Sequence, residues 1–150
     1  MEQKFTYHFD VETGILYKTY YGVITIDDIN SSWEYAIREG IIPPETRGFV
    51  LDYREAHFDI PLGRHHEIAD FYKNHIDVFG GFKIAIITDN SKDIVIPVLV
   101  EMLDEGYVSR PFTTVEAAVE WIMIDAPNIK KKDNNELTKT NDLIGESASE

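Results

Sequence analysis

Cysteine is absent from the sequence. That excludes disulfides, thiolate catalysis and metal sites built on cysteine. It suits a reducing compartment without fixing one. Basic residues are few: 14 Lys and Arg stand against 27 Asp and Glu, for a formal net charge of −13. With no basic surface to offset phosphate repulsion, neither nucleic acid nor an anionic membrane is an expected partner. The plain role of such charge is solubility. No apolar run reaches transmembrane length. The first eight residues contain no apolar signal core, so a cytoplasmic protein is expected. Two catalytic signatures are also missing. No glycine-rich phosphate loop follows a strand, since Gly80-Gly81 precedes one. No Gly-x-Ser-x-Gly nucleophile elbow occurs. Neither an internal repeat nor a low-complexity core segment is visible.

What the chain does contain is enough apolar sequence, 43% of 150 residues, for one domain with a proper core. Its organising stretch is Lys83-Ile84-Ala85-Ile86-Ile87-Thr88, bounded by Gly80-Gly81 and Asp89-Asn90-Ser91. A short apolar run between turn residues reads as a strand buried on both faces. Helical patterns on either side make its strand neighbours parallel. Upstream, Phe5–Asp10 and residues 15–21 form an antiparallel hairpin around Glu12-Thr13-Gly14, ended by Gly22. Phe5, Tyr7 and Phe9 share one face; Ile15, Tyr17, Thr19 and Tyr21 share another. Thr25 caps a first helix with Asp28 in its first turn, and Ile26, Ile29, Trp33, Ala36 and Ile37 recur at helical spacing. Asp27, Ser31, Glu34 and Arg38 take its wet face, and Gly40 stops it. Pro43-Pro44 forces a loop before a third strand over 48–53, and residues 54–60 read as irregular.

The second helix is expected to open at Pro61 and to carry Ile68, Ala69, Tyr72, Ile76 and Phe79 on one side. Ser91 caps the third, with Asp93 in its first turn. That third helix, over 94–103, is apolar round most of its circumference, leaving only Pro97, Glu101, Asp104 and Glu105 as a stripe. Its β-branched start favours an onset nearer Pro97. Residues 107–112 give an edge strand containing Pro111. Thr113 or Thr114 caps a last helix, with Glu116 completing a capping box in the Thr113 case. Val115, Ala118, Val119 and Ile122 form its buried face, with Trp121 beside it. The domain is expected to span 1–124, and the polar stretch 125–150 to be a mobile tail.

The element order, the strand Phe49-Val50-Leu51-Asp52, the central strand ending Thr88-Asp89, and the closing segment from Arg110 to Ile122 with Ala118-Val119-Glu120-Trp121 resemble the STAS domain superfamily. The likeness is to its stand-alone SpoIIAA-like, or STAS/SEC14-like, bacterial proteins. It implies an α/β fold: a five-stranded, mostly parallel sheet laid down in sequence order, with an N-terminal antiparallel hairpin and four helices. Anti-sigma-factor antagonists of this superfamily carry a phosphorylated serine in Asp-Ser-Ser-Gly at the start of the second helix. Here the stretch is Phe58-Asp59-Ile60-Pro61-Leu62-Gly63, and neither Ile60 nor Pro61 has a hydroxyl. A phosphorylation switch of that kind does not operate in this chain.

Open α/β sheets bind ligands beyond the carboxyl ends of their strands. The residues placed there are Asp52, Tyr53, Arg54, His57, Asp89 and Ser91, with Tyr21 beside them. They form either a crevice for a polar ligand or partner, or local supports: Asp89 in the turn, Ser91 as cap, Asp52 paired with Arg54. The third helix offers Val95, Ile96, Leu99, Val100 and Leu103 either as core or as an interface for a protein partner or a homodimer. Tyr17, Tyr20 and Tyr21 are a second candidate contact surface. His66-Glu67-Ile68-Ala69-Asp70 places two metal-ligand types on one helical face without a third, so no metal, cofactor or catalytic residue is assigned. The favoured function is a non-catalytic module acting by protein contact. The alternatives are a carrier of a small apolar ligand or lipid between helices and sheet, and an enzyme using Asp52, Arg54, His57 and Asp89.

Overall fold

The computed structural model describes residues 3–124. β1 (Phe5–Asp10) and β2 (Ile15–Ile24) are antiparallel, and α1 (Ile26–Arg38) follows. Next come β3 (Gly48–Phe58), a 3-10 turn (Leu62–Arg64), α2 (His66–Asn74) and α3 (Ile76–Phe79). β4 (Lys83–Ile87), α4 (Val95–Glu101), β5 (Val108–Phe112) and α5 (Val115–Met123) complete the order. The sheet runs β1-β2-β3-β4-β5, parallel from β2 onward. All five residues of β4 are buried, between parallel neighbours β3 and β5. The isoleucine-rich run occupies the interior position that its composition demands.

The two faces of the sheet are unequal. α1 to α4 cover one, where Trp33, Phe49 and Phe79 are fully buried and meet ring to ring at 5.1–5.7 Å. Phe5, Tyr7 and Phe9 lean on that core. Among the described residues α5 alone packs on the other, setting Ala118 and Ile122 against Ile15, Val50, Ala85 and Ile87. The approach is close: a Cβ on Gly48 would sit 2.6 Å from an Ile122 methyl. No helix among the described residues is long and apolar enough to cross a membrane.

Several elements depart from the sequence expectation. Gly22 does not end β2. It adopts φ +82°, and the strand continues to Ile24. Residues 54–58 are strand rather than irregular coil, because the two extensions pair with each other from Tyr21–Glu55 to Ile24–Phe58. Each satisfies the other's backbone, a compensation that neither segment displays alone. Five α-helices stand among the described residues, where four were expected. The expected second helix begins at His66 and breaks at His75, whose backbone (φ −121°, ψ 42°) leaves the helical region. Its ring Nδ1–H donates to the Phe71 carbonyl at 3.0 Å and the ring stacks on Phe71. Ile76 is consequently exposed, while Phe79 still reaches the core.

α4 is shorter than expected, and Ser91 does not cap it. The preceding turn is held by Asn90, whose side-chain oxygen accepts from the Lys92 N–H and whose carbonyl accepts from the Asp93 N–H. Thr25 forms the capping box with Asp28. At α5 it is Thr114, not Thr113, that accepts from Ala117 N–H, so Glu116 closes no box. The expected tail over 125–150 lies outside the described residues.

Candidate functional site

The path of the chain at the carboxyl ends of β3 and β4, where the crevice was expected, is shaped by a bulge. Thr19 pairs with Asp52 and Tyr21 with Glu55, so Tyr53 and Arg54 together face Tyr20. A bulge leaves an N–H without its ladder partner. Asp52 supplies one: its carboxylate accepts from the Arg54 N–H at 3.0 Å and from the Arg54 guanidinium at 2.9 and 2.7 Å. Burial pushes the Asp52 carboxyl up, but the Arg54 hydrogen bonds outweigh it and hold the group below its usual range. Those same bonds, with the charges of Asp89 and Glu116, raise Arg54 further. Asp52 therefore fixes the strand's path and spends its oxygens doing so.

The end of the β3 extension is clasped by a residue from a distant segment. Asp93 is 5% exposed. One carboxylate oxygen accepts from the Phe58 N–H at 3.0 Å, and the other lies 2.9 Å from His57 Nδ1. The carboxylate accepts from Nδ1–H there, and Nε2 is left facing outward on a side chain that is 65% exposed. Asp93 ties β3 to the turn before α4, across 36 positions of sequence. At its far end α4 is tied to β5. Asp104 accepts from the Ser109 N–H at 2.5 Å and from its hydroxyl, while burial pushes the Asp104 carboxyl up to about 6.

The predicted site residues do not form one constellation. Asp52 and Arg54 pair with each other, and Asp89 contributes only its charge to Arg54. No hydrogen bond or ion pair links that group to His57 among the described residues. Tyr53 is not in the crevice. It is 4% exposed and stacks on Tyr20 at 4.1 Å in the core, because the alternation of β3 turns it under the helices. Ser91 is exposed and caps nothing. His66 and Asp70 are exposed, and no group of three or more metal-ligating side chains converges among the described residues.

The expected interface residues divide. Ile96 and Val100 belong to the core at 5% and 4% exposure, and Leu99 and Leu103 are half-buried. Val95 is exposed, and so are Val98 and Met102 of the same apolar run. The aromatic hairpin is likewise split, with Tyr20 fully buried, Tyr17 half-buried and Tyr21 exposed. Two residues have roles that the sequence analysis did not assign them. Asp93 looked like a first-turn acid. Lys18 lies between Leu16 and Tyr20 on the core face of β2, a placement the alternation of the strand does show.

No protein-family model matches the chain, and the curated proteins hold no match. Among solved structures, an uncharacterised protein of the DUF3478 family from Shewanella loihica PV-4, described as having a SpoIIAA-like fold, superposes with a TM-score of 0.54. The two chains are 15% identical over 81% of this chain and 98% of that one. The fold is SpoIIAA-like. Within the SpoIIAA-like fold, residues 58–63 run from the end of β3 into the 3-10 turn. Ile60 and Pro61, neither of which carries a hydroxyl, lie in that connection, beside the Asp93 clasp on Phe58.

Proposed function

We propose that this chain is a non-catalytic, STAS-like interaction module that acts by protein–protein contact through the outer face of α4. The observation that carries this reading is the exposed stripe Val95, Val98 and Met102, with Met102 76% exposed. Those positions are spaced i, i+3 and i+7, so they lie along one line of the helix. The inner face of the same helix is anchored by Ile96 and Val100, and its ends are fixed by Asp93 and by the Asp104–Ser109 bonds. A rigidly held apolar line on a chain of net charge −13 is unusual for a surface with no contact to make.

The two alternatives find less support. The space between helices and sheet, lined by Ile29, Leu51, Ile86 and Ile96 among others, measures about 20 Å³. That is room on the order of a single water, which counts against a carried lipid or other apolar ligand. Asp52 and Arg54 are engaged with each other in holding β3, and no bond joins them to His57 among the described residues, which counts against an enzyme built on that group.

A second copy of the chain is the simplest occupant, because a straight apolar line along a helix meets its own two-fold copy without rearrangement. The double variant Val98→Asp with Met102→Asp is expected to abolish self-association in sedimentation velocity while leaving the melting temperature within a few degrees, since both side chains are exposed. Self-association equal to that of the wild type in this variant would refute the α4 surface.

A further inference from the structure

Lys18 lies on the core face of β2 at 0% exposure, and its amine donates to the Ser32 hydroxyl. That hydroxyl gives its own proton to the Ile29 carbonyl at 2.9 Å. The rings of Phe5, Tyr7, Tyr20 and Trp33 stand round the amine. The titratable groups that face it are phenols, Tyr7 from β1 and Tyr20 from β2, and burial pushes both up, so they stay neutral. α1 presents Ser32 and Trp33, and β3 sets Leu51 beside it in the ladder. The Lys4–Asp28 ion pair is at the surface, and His8 lies on the other face of β1 against Tyr17. Burial therefore acts on Lys18 with no charge to offset it.

The covers of this amine are not held equally. Tyr20 and Trp33 are fully buried in the core. β1 is an edge strand of six residues, paired on one side only, and none of its residues is fully buried. Tyr7 stands directly across from Lys18 in that pairing. Two bonds tie the strand to α1: the Tyr7 hydroxyl donates to the Ser32 carbonyl at 2.6 Å, and Lys4 donates to Asp28 at 3.0 Å. β1 is thus the cover that can leave without dismantling the packing of Trp33 on Phe49 and Phe79.

We propose that β1 is a pH-gated strap: uptake of a proton by Lys18 lifts it from β2 and α1 and lets water reach the amine. The closed form holds a neutral amine and the open form a hydrated ammonium, with the proton drawn from solvent. Opening turns the ladder groups of β2 into an unpaired sheet edge. The sign follows from linkage. Between the lowered value in the closed form and the ordinary value of about 10.4 in the open form, the open fraction grows about ten-fold for each unit by which the pH falls.

The test is amide hydrogen exchange of the full chain, followed residue by residue by NMR at about pH 7 to 9, where closing outpaces exchange. Base-catalysed exchange speeds up about ten-fold per pH unit, while this opening becomes about ten-fold rarer. The amides that join β1 to β2 are therefore expected to exchange at rates nearly independent of pH, and faster than those of β4. In Lys18→Met the same amides are expected to slow and to regain the ten-fold rise per unit. Tyr7→Phe, which loses the bond to the Ser32 carbonyl, is expected to speed them several-fold at every pH without changing the slope. A ten-fold rise per unit in the wild type, or one slope shared by the wild type and Lys18→Met, would overturn the proposal. So would β1 amides as slow as those of β4, since Lys18 would then meet water only when the whole domain unfolds.

Discussion

Replacing Lys18 with methionine is expected to stabilise the protein at neutral pH by about 1–4 kcal/mol, the range seen when apolar residues replace buried ionic groups. Lys18 is fully buried. Its amine sits among the rings of Phe5, Tyr7, Tyr20 and Trp33, 3.9 Å from the Trp33 centroid. Its hydrogen-bond partner is the Ser32 hydroxyl, and no carboxylate pairs with it among the described residues. The rings favour a cation by roughly 2 kcal/mol in a dry site. Desolvation of an ammonium costs several. Desolvation wins, and burial pushes the Lys18 pKa well below its usual value.

The sign of the pH dependence follows. Between the lowered folded pKa and the unfolded value of about 10.4, the unfolded chain holds a proton that the folded chain lacks. The stability of the wild type should therefore rise with pH through that window. The Lys18→Met variant should lack this contribution. Urea unfolding at neutral and at alkaline pH measures both. A variant less stable than the wild type at every pH would mean that the rings and Ser32 hold the amine better than water does.

Asp93→Ala is expected to cost about 3 kcal/mol, the sum of an orphaned Phe58 N–H and a lost charge-assisted bond to His57. The loss should be local before it is global. The β3 extension and the turn before α4 are joined there, so amide exchange should accelerate first at residues 55–58 and 91–95. Asp93→Asn keeps an oxygen for the Phe58 N–H and should cost less. Equal losses in the two variants, or exchange unchanged in those segments, would show that Asp93 is not the clasp.

These two residues also show where sequence reading reaches its limit. β4 was legible because its composition, length and flanking turns all agree, and parallel neighbours follow from the helices on either side. Thr25 with Asp28, and the stop at Gly40 with φ +68°, were legible because capping chemistry is local. The extensions of β2 and β3 were not, since each is made a strand by the other. The same holds for the clasp: nothing near His57 in the sequence announces a carboxylate 36 positions away. The break at His75 depends on a ring finding Phe71. For α4 the sequence showed apolar residues all round, and only packing decides that Ile96 and Val100 face inward while Val98 and Met102 face out. Lys18 was readable from alternation alone, yet its aromatic surroundings come from β1 and α1 as well as β2.

The direct test of contact through α4 is sedimentation velocity of the wild-type chain across the micromolar range at low and at high salt. Two copies of a chain carrying −13 repel each other, and salt screens that repulsion without weakening an apolar contact. A reversible dimer whose population grows with concentration and with salt is the predicted result. A monomer at every concentration and every ionic strength would contradict it.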